Sequence, residues 1–281
     1  MKKRVLSVLL ATAMVATMAV GCGSKTDDSA NTDSKSESTE KSDEKKVIKL
    51  GVRDNADQVN CVMDAIEEAG YEVDVTVFDD SNQPNVALGE GSIDINWYQH
   101  EPYLDAYNEA NGTDFVMVEP KTAAPLFAMY SNKISSIDEL KEGDTIGICA
   151  DASNKARGLH LLESQGLIKL DESVEVPTQY DIVENKLNLQ FIEADMQVLP
   201  QSLDDVAGIL CAAAHMVNAG LDGTDYVCAS DDAEEYAVGF VVRKEDKDAE
   251  WATGLAKAVQ CDALAEYYET EKKGTMVPMW K

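Results

Sequence analysis

Positive charge is scarce in this chain of 281 residues: 24 Lys and Arg stand against 52 Asp and Glu, a formal net charge of −28. Nucleic-acid binding needs basic groups that displace counterions from phosphates, so a surface this acidic argues against that class of partner. The same repulsion disfavours flat adsorption to anionic lipid. Histidine occurs only at His100, His160 and His215, far apart in the chain. There is no GxSxG elbow, no GxxxxGK[ST] loop, no HExxH and no GxGxxG. Neither a metal site nor a cofactor is therefore indicated, and the carboxylates are too numerous for any pair to be singled out as acid and base. Beyond Cys22, the cysteines are Cys61, Cys149, Cys211, Cys228 and Cys261, an odd set without CxxC spacing. That argues against a disulfide framework or zinc ribbon and reads as small buried hydrophobes. What is abundant is core material: 44% of residues are hydrophobic, enough for a sizeable folded domain.

The N-terminus follows a different pattern. Lys2, Lys3 and Arg4 precede an apolar run from Val5 to Val20, then Gly21-Cys22. This is the layout of a secretory signal, too short for a comfortable membrane span, so residues 1–21 are expected to be a signal peptide. Ala19-Val20-Gly21-Cys22 resembles a bacterial lipobox, which makes Cys22 the expected lipidation site. Residues 23–46 are rich in Ser, Asp, Glu and Lys and contain no large apolar side chain. Residues 22–46 thus read as a lipidated cysteine and a solvated tether of roughly 25–30 Å r.m.s. span. The expected location is the extracytoplasmic face of the cell membrane, held by the lipid.

From Val47 onward strand and helix patterns alternate. Lys46–Arg53, Tyr71–Phe78 and Ile93–Trp97 read as strands. A helix carries Val59, Val62, Met63, Ile66 and Ala69 at helical spacing, and another opens at Pro102 and stops at Asn111-Gly112. This βαβαβ order predicts a mainly parallel sheet with helices on both faces. A second cycle contains a capping box at Ser136 and Glu139, a strand at Asp144–Cys149 and a helix over Ser153–Gln165. Strands follow at Leu187–Ile192, Gly208–Cys211 and Tyr226–Ala229, with an Ala-rich helix near 212–219, before a return strand at Ala237–Arg243. The fold class is α/β and two-lobed, with lobe 1 about 47–129 plus 238–281 and lobe 2 about 130–237. A ligand cleft is expected between the lobes, because open α/β sheets bind beyond the carboxyl ends of their strands.

Two segments stand out for binding. Asn96–Leu104 places Trp97, Tyr98, His100 and Tyr103 at a strand's carboxyl end, where aromatic bodies with polar tips can line a pocket, although Trp97 reads equally well as core. Asp151–Arg157 is a strand-to-helix turn in which Ser153 or Asn154 can cap the helix and Arg157 lies one turn in. Such a turn suits a carboxylate, although for Arg157 taken alone a surface salt bridge is the better reading. His160 reads as a packed or surface side chain and His215 as a satisfied, half-buried histidine.

Together with QPNVAL (83–88), NGTDF (111–115), IDELKEGDTIGI (137–148), GLIKL (166–170), LPQSLDDV (199–206) and VVRKEDKD (241–248), these segments resemble the methionine-binding lipoprotein family, the NLPA lipoproteins. The resemblance runs from about Val47 to the C-terminus. It implies a type II periplasmic-binding-protein fold, not an enzyme, that captures an amino acid and delivers it to an ABC permease and its ATPase. It also implies that Tyr98, His100 and Tyr103 contact the ligand side chain, and that Asn154 and Arg157 hold its polar end. Substitution of Arg157 is expected to remove carboxylate binding and leave the fold intact.

The chain departs from the family pattern at Ser81, where an aromatic is usual, near 121–124, where a tyrosine is usual, and at Ala212-Ala213-Ala214, where an Asn-x-Asn run is usual. Losing an Asn that bonds a buried ligand group costs on the order of 1–3 kcal/mol. The departures imply an enlarged cleft, with methionine the leading ligand and a bulkier amino acid or short peptide as alternatives. Further alternatives are another small carboxylate, a surface lipoprotein without a transport role, and an enzyme of the same fold in which Cys149 is the only candidate nucleophile.

Overall fold

The computed structural model describes residues 47–281. The expected signal peptide, Cys22 and the tether lie outside the described residues. In chain order the strands and helices are β1 (Val47–Arg53), α1 (Asp57–Asn60), α2 (Met63–Glu68), β2 (Glu72–Phe78), α3 (Gln83–Gly89), β3 (Ile95–His100), α4 (Glu101–Asn111), β4 (Val116–Pro125), β5 (Phe127–Tyr130), β6 (Thr145–Cys149), α5 (Ala152–Ser164), β7 (Ile168–Leu170), β8 (Ile182–Asn185), β9 (Gln190–Ala194), β10 (Gly208–Ala212), α6 (Ala213–Asn218), β11 (Cys228–Ala229), β12 (Val238–Val242), α7 (Glu250–Ala258), α8 (Asp262–Thr270) and β13 (Met276–Pro278).

The strands form two sheets and a small β7–β8 ribbon. The first sheet has the order β13-β4-β12-β3-β1-β2 and the second β11-β5-β10-β6-β9. Both are mixed rather than mainly parallel. In the first, β1 runs parallel to β2 and β3, but β12 is antiparallel to both β3 and β4, and β13 is antiparallel to β4. The physical reason is the chain path: it enters the second sheet at Phe127 and comes back at Val238, so the returning strand pairs with β3 head to tail. The sequence pattern indicates that the chain returns near Ala237, but alternation along one segment does not reveal the direction in which the returning strand pairs.

Each sheet has its own core. Ile48, Leu50, Ile66, Ile95, Trp97, Phe240, Leu255 and Tyr268 pack on one face of the first sheet, while Leu88, Ile93, Leu104, Phe115 and Val241 fill the other. Val241 and its neighbours Phe240 and Val242 thus face opposite ways, as the two-residue period of a strand requires. The second core contains Phe127, Ile146, Ile148, Leu159, Leu162, Ile209 and Leu210. Burial of each such side chain contributes roughly 1.5–3 kcal/mol. Trp97 belongs to the core: it is 1% exposed, stacks on Phe240 at 4.6 Å, and donates its indole N–H to Thr122 Oγ1 at 3.0 Å.

Several boundaries differ from the sequence expectation. The third strand runs to His100 instead of stopping at Trp97, so Tyr98, Gln99 and His100 lie on the strand itself. Strand β4 is interrupted: Val238 pairs with Ala123 and Phe240 with Val118, which leaves Pro120 in an irregular stretch where no ladder donor is needed. The capping box at Ser136 and Glu139 does not form. Ser136 Oγ accepts the Asp138 N–H at 3.3 Å, but Glu139 turns to Ser135, whose hydroxyl it accepts at 2.9 Å. Gly112 ends α4 in the left-handed region at φ 65°, a conformation that glycine adopts without the steric cost of a side chain.

Candidate functional site

Strand β3 ends at His100 and α4 begins at the next residue. His100 is extended and caps that helix with its own side chain, Nδ1 accepting the Tyr103 N–H at 3.1 Å. An accepting Nδ1 puts the ring proton on Nε2, which faces Asn154 Oδ1 at 3.2 Å. Burial and then the nearby Arg157 charge push His100 down to about 3, so the ring is neutral. Its edge meets Tyr236 at 4.9 Å and Tyr103 at 6.2 Å. Tyr98 donates its hydroxyl to the Ser81 carbonyl at 2.7 Å, and Tyr103 donates to Asn82 Oδ1 at 3.2 Å. Burial holds both phenols well above their ordinary range. The two rings stand edge to face at 6.2 Å.

The second wall comes from the turn into α5. Asp151, not Ser153 or Asn154, caps this helix: its Oδ1 accepts the Asn154 N–H at 2.9 Å, the Asn154 side-chain amide at 3.0 Å and the Ser153 hydroxyl at 3.0 Å. A carboxylate accepts several such donors at once, so it outcompetes the hydroxyl and the amide, which turn toward it. One turn in, Arg157 is only 1% exposed. Its guanidinium lies between the rings of Tyr236 at 4.0 Å and Phe127 at 4.7 Å. Asp232 grips it, with Nη2–Oδ1 at 2.6 Å, Nε–Oδ1 at 3.0 Å and Nε–Oδ2 at 3.2 Å. The reading of Arg157 as a surface salt bridge is therefore corrected: the pair exists, but around a buried guanidinium.

All five sequence-derived residues, Tyr98, His100, Tyr103, Asn154 and Arg157, line one cleft of about 540 Å³. Two departures from the family pattern shape it directly, since Ser81, Ala212 and Ala214 all line it and the two alanines carry no side chain beyond a methyl group. The departure at 121–124 is behind the cleft, where Thr122 Oγ1 accepts the Trp97 N–H and donates to the Val238 carbonyl at 2.9 Å.

Sequence reasoning missed several residues that matter here. Asn85, Asn96 and Gln99 form a closed buried network with bonds of 2.7–2.9 Å, which braces β3 against α3. The QPN and YQH motifs thus carry a structural triad beside the cleft residues. Arg53, Asp195 and His215 also line the cleft. Arg53 ends β1, and the carboxyl-end rule for strands could have found it. His215 is not satisfied as expected, because its buried Nδ1 has no hydrogen-bond partner. His160 is half exposed and lies 3.5 Å from Glu163. Cys149 is 1% exposed, with its thiol pushed far up by burial and facing the Leu210 carbonyl at 3.5 Å.

The profile of the NlpA lipoprotein family matches residues 48–280. The chain belongs to the NlpA lipoprotein family. It is 37% identical over 241 residues to the D-methionine-binding lipoprotein MetQ of Salmonella typhi, covering 83% of this chain and 88% of that protein. It is 36% identical to MetQ of Escherichia coli K12 with the same coverage. Among solved structures, a nutrient binding protein of Burkholderia cenocepacia bound to methionine superposes with a TM-score of 0.78 at 33% identity, covering 83% of this chain and all of that one. As in these NlpA relatives, the fold is the two-lobed α/β fold of type II periplasmic binding proteins, with the two mixed sheets as its halves.

Proposed function

We propose that this NlpA lipoprotein captures methionine or a related amino acid in the cleft between its sheets and delivers it to an ABC permease and its ATPase. Cys22 would carry the lipid that holds the protein at the extracytoplasmic face of the membrane. The observation that carries this reading is convergence: Tyr98, His100 and Tyr103 from β3 and α4 face Asn154 and Arg157 from α5 across one cleft. Aromatic faces with a neutral imidazole suit a thioether side chain, and the guanidinium and amide suit the polar end of an amino acid. The names of the relatives and the methionine bound to the Burkholderia protein support the same ligand class. A ligand touching both halves stabilises the closed arrangement, which is the form a permease can distinguish from the empty one.

Binding without turnover is the reading that fits Cys149. A nucleophilic thiol must be exposed and ionised, and this one is buried with its ionisation suppressed. The test is native mass spectrometry of the protein as purified, then titration calorimetry of the stripped protein with L- and D-methionine. A mass increment equal to methionine together with saturable heat is the expected result. Absence of both, in a protein that remains folded, would favour a surface lipoprotein without a transport role.

A further inference from the structure

The two halves also touch at the edge of the cleft remote from the chain crossovers. Strand β2 ends the first sheet and β9 ends the second, each three strands away from a strand at which the chain crosses, β12 and β5 respectively. With neighbouring strands about 4.8 Å apart, both edges lie roughly 14 Å from the crossovers. The turns at the ends of these strands meet. Arg53, the last residue of β1 and the partner of Phe78 in β2, reaches Asp195 just after β9, its Nη2 donating to Oδ1 at 3.3 Å. Two residues further on, the Gln197 side-chain amide donates to the carbonyl of Asp79, the residue that follows β2, at 3.2 Å.

Each side of this contact is held by its own half. The Asp54 N–H donates to the Phe78 carbonyl at 3.1 Å, which pins the end of β1 to the end of β2, and Arg53 Nε lies 3.5 Å from the Asp54 carboxylate. Across the mouth, Asp195 Oδ1 also accepts the Gln197 N–H at 3.0 Å, and the Asp195 carbonyl accepts from Val198 and from Leu199, which is anchored in the second core. The Arg53 side chain is 10% exposed and that of Asp195 41%, and an ion pair at such a depth shifts an equilibrium only a few-fold. Position makes those few-fold count. Because both edges stand far from the crossovers, a small hinge rotation parts them completely, so the bonds exist in the closed arrangement and not in the open one. A contact made in one state alone shifts the population toward that state. We propose that Arg53–Asp195 and Gln197–Asp79 form a latch across the mouth that favours closure before any ligand arrives. This goes beyond the amino-acid reading and does not depend on it, since none of the four residues belongs to the set formed by Tyr98, His100, Tyr103, Asn154 and Arg157.

The experiment is double electron–electron resonance on the full-length protein in detergent, stripped of bound small molecules. Spin labels are attached through p-acetylphenylalanine in place of Gln83 and Gln201, which are exposed and lie on opposite halves, so the native cysteines stay untouched. Without ligand the parent should show a short-distance population that shrinks when salt is raised to about 0.5 M, as screening of a part-exposed pair requires. Asp195→Asn combined with Gln197→Ala removes the ion pair and the second bond while keeping an acceptor for the N–H at 197. It should lower the ratio of short to long distances about threefold and abolish the salt response. Glu172→Gln, the same loss of charge at an exposed site of the second half, should change neither. A parent with no short-distance population, an unchanged ratio in the double variant, or an equal change in Glu172→Gln would overturn the latch. Adding methionine separates the two claims: a parent that gives no response to it removes the amino-acid reading, while the ligand-free distances still decide the latch.

Discussion

Nε2 of His100 lies 3.2 Å from Oδ1 of Asn154, and the two side chains belong to opposite walls of the cleft. Each is also part of a helix start: His100 caps α4 through its other ring nitrogen, and the Asn154 N–H is the donor that Asp151 accepts at the start of α5. The contact therefore joins two rigid helix ends, so it reports on closure more directly than a bond between flexible loops. The cap at the start of α4 requires a neutral ring, since a protonated imidazole cannot accept the Tyr103 N–H at Nδ1.

That requirement predicts acid sensitivity. His100 is pushed down to about 3 and His215 to about 4, both by burial first, whereas an unfolded histidine titrates near 6.5. Between those values the unfolded chain binds protons that the folded one refuses, so stability is full above about pH 6.5 and falls as pH drops toward 4 and 3. Each histidine adds roughly 1.4 kcal/mol per pH unit to that slope. Urea unfolding at pH 7, 6 and 5 should show the slope reduced by about that amount in His100→Gln. An unchanged slope would mean that the ring is protonated in the folded protein.

Arg157 should prove to be a stability residue as well as a site residue. Its guanidinium is buried between two rings and makes three hydrogen bonds to Asp232, so Arg157→Ala leaves that carboxylate with the Ser230 hydroxyl but no countercharge. Breaking a fully buried pair on one side costs on the order of 3–5 kcal/mol, and the partial exposure of Asp232 brings the cost here toward or below the lower end of that range. The sequence expectation of an intact fold is thus tempered: unfolding free energy should drop by that order and ligand heat should vanish. The double variant Arg157→Met with Asp232→Leu should recover much of the stability and none of the binding. Recovery of binding would place the ligand's polar end elsewhere.

The pattern of what the sequence revealed follows from range. Local signals located the first two strands, the stops at Gly70 and Gly112, and both walls of the cleft, because strand period, caps and turn residues act over a few positions. Tyr98, His100, Tyr103, Asn154 and Arg157 were legible as residue types placed where a strand meets a helix. Partners distant in sequence were not. Asp232 lies 75 positions from Arg157, and nothing near Arg157 signals that its charge is already balanced. The antiparallel direction of β12, though not its return to the first sheet, and the Asn85–Asn96–Gln99 network are equally non-local, and His215 looks ordinary until its unpartnered nitrogen is seen in place.

The Asn85 network gives a prediction that separates scaffold from contact. Asn85 Oδ1 accepts from Asn96 at 2.9 Å and from Gln99 at 2.7 Å, and its own amide donates to Gln99 Oε1 at 2.9 Å. Asn85→Ala leaves donors on both partners unmade in a dry site, which should cost at least 1–3 kcal/mol of stability. Asn85 does not line the cleft, so ligand affinity measured well below the unfolding midpoint should fall much less than in Arg157→Lys. A larger loss of affinity than of stability would mean that the network sets the position of His100.

Ala214 tests whether the widened cleft decides the ligand. It is the second residue of α6 and faces the cleft, whereas Ala213 beside it is fully buried against the second core. Ala214→Asn adds an amide to the space at little helix cost, about half a kcal/mol. If the amide reaches a bound amino acid, methionine affinity should rise about tenfold, as one good buried hydrogen bond allows, while a larger ligand should lose affinity by crowding. Ala213→Asn is the control in the other direction: the same amide forced into packed core should lower stability by 1–3 kcal/mol. Calorimetry with methionine and L-alanyl-L-methionine on both variants decides the matter. A rise for both ligands in Ala214→Asn would mean that the methyl-lined space is not what admits the larger one.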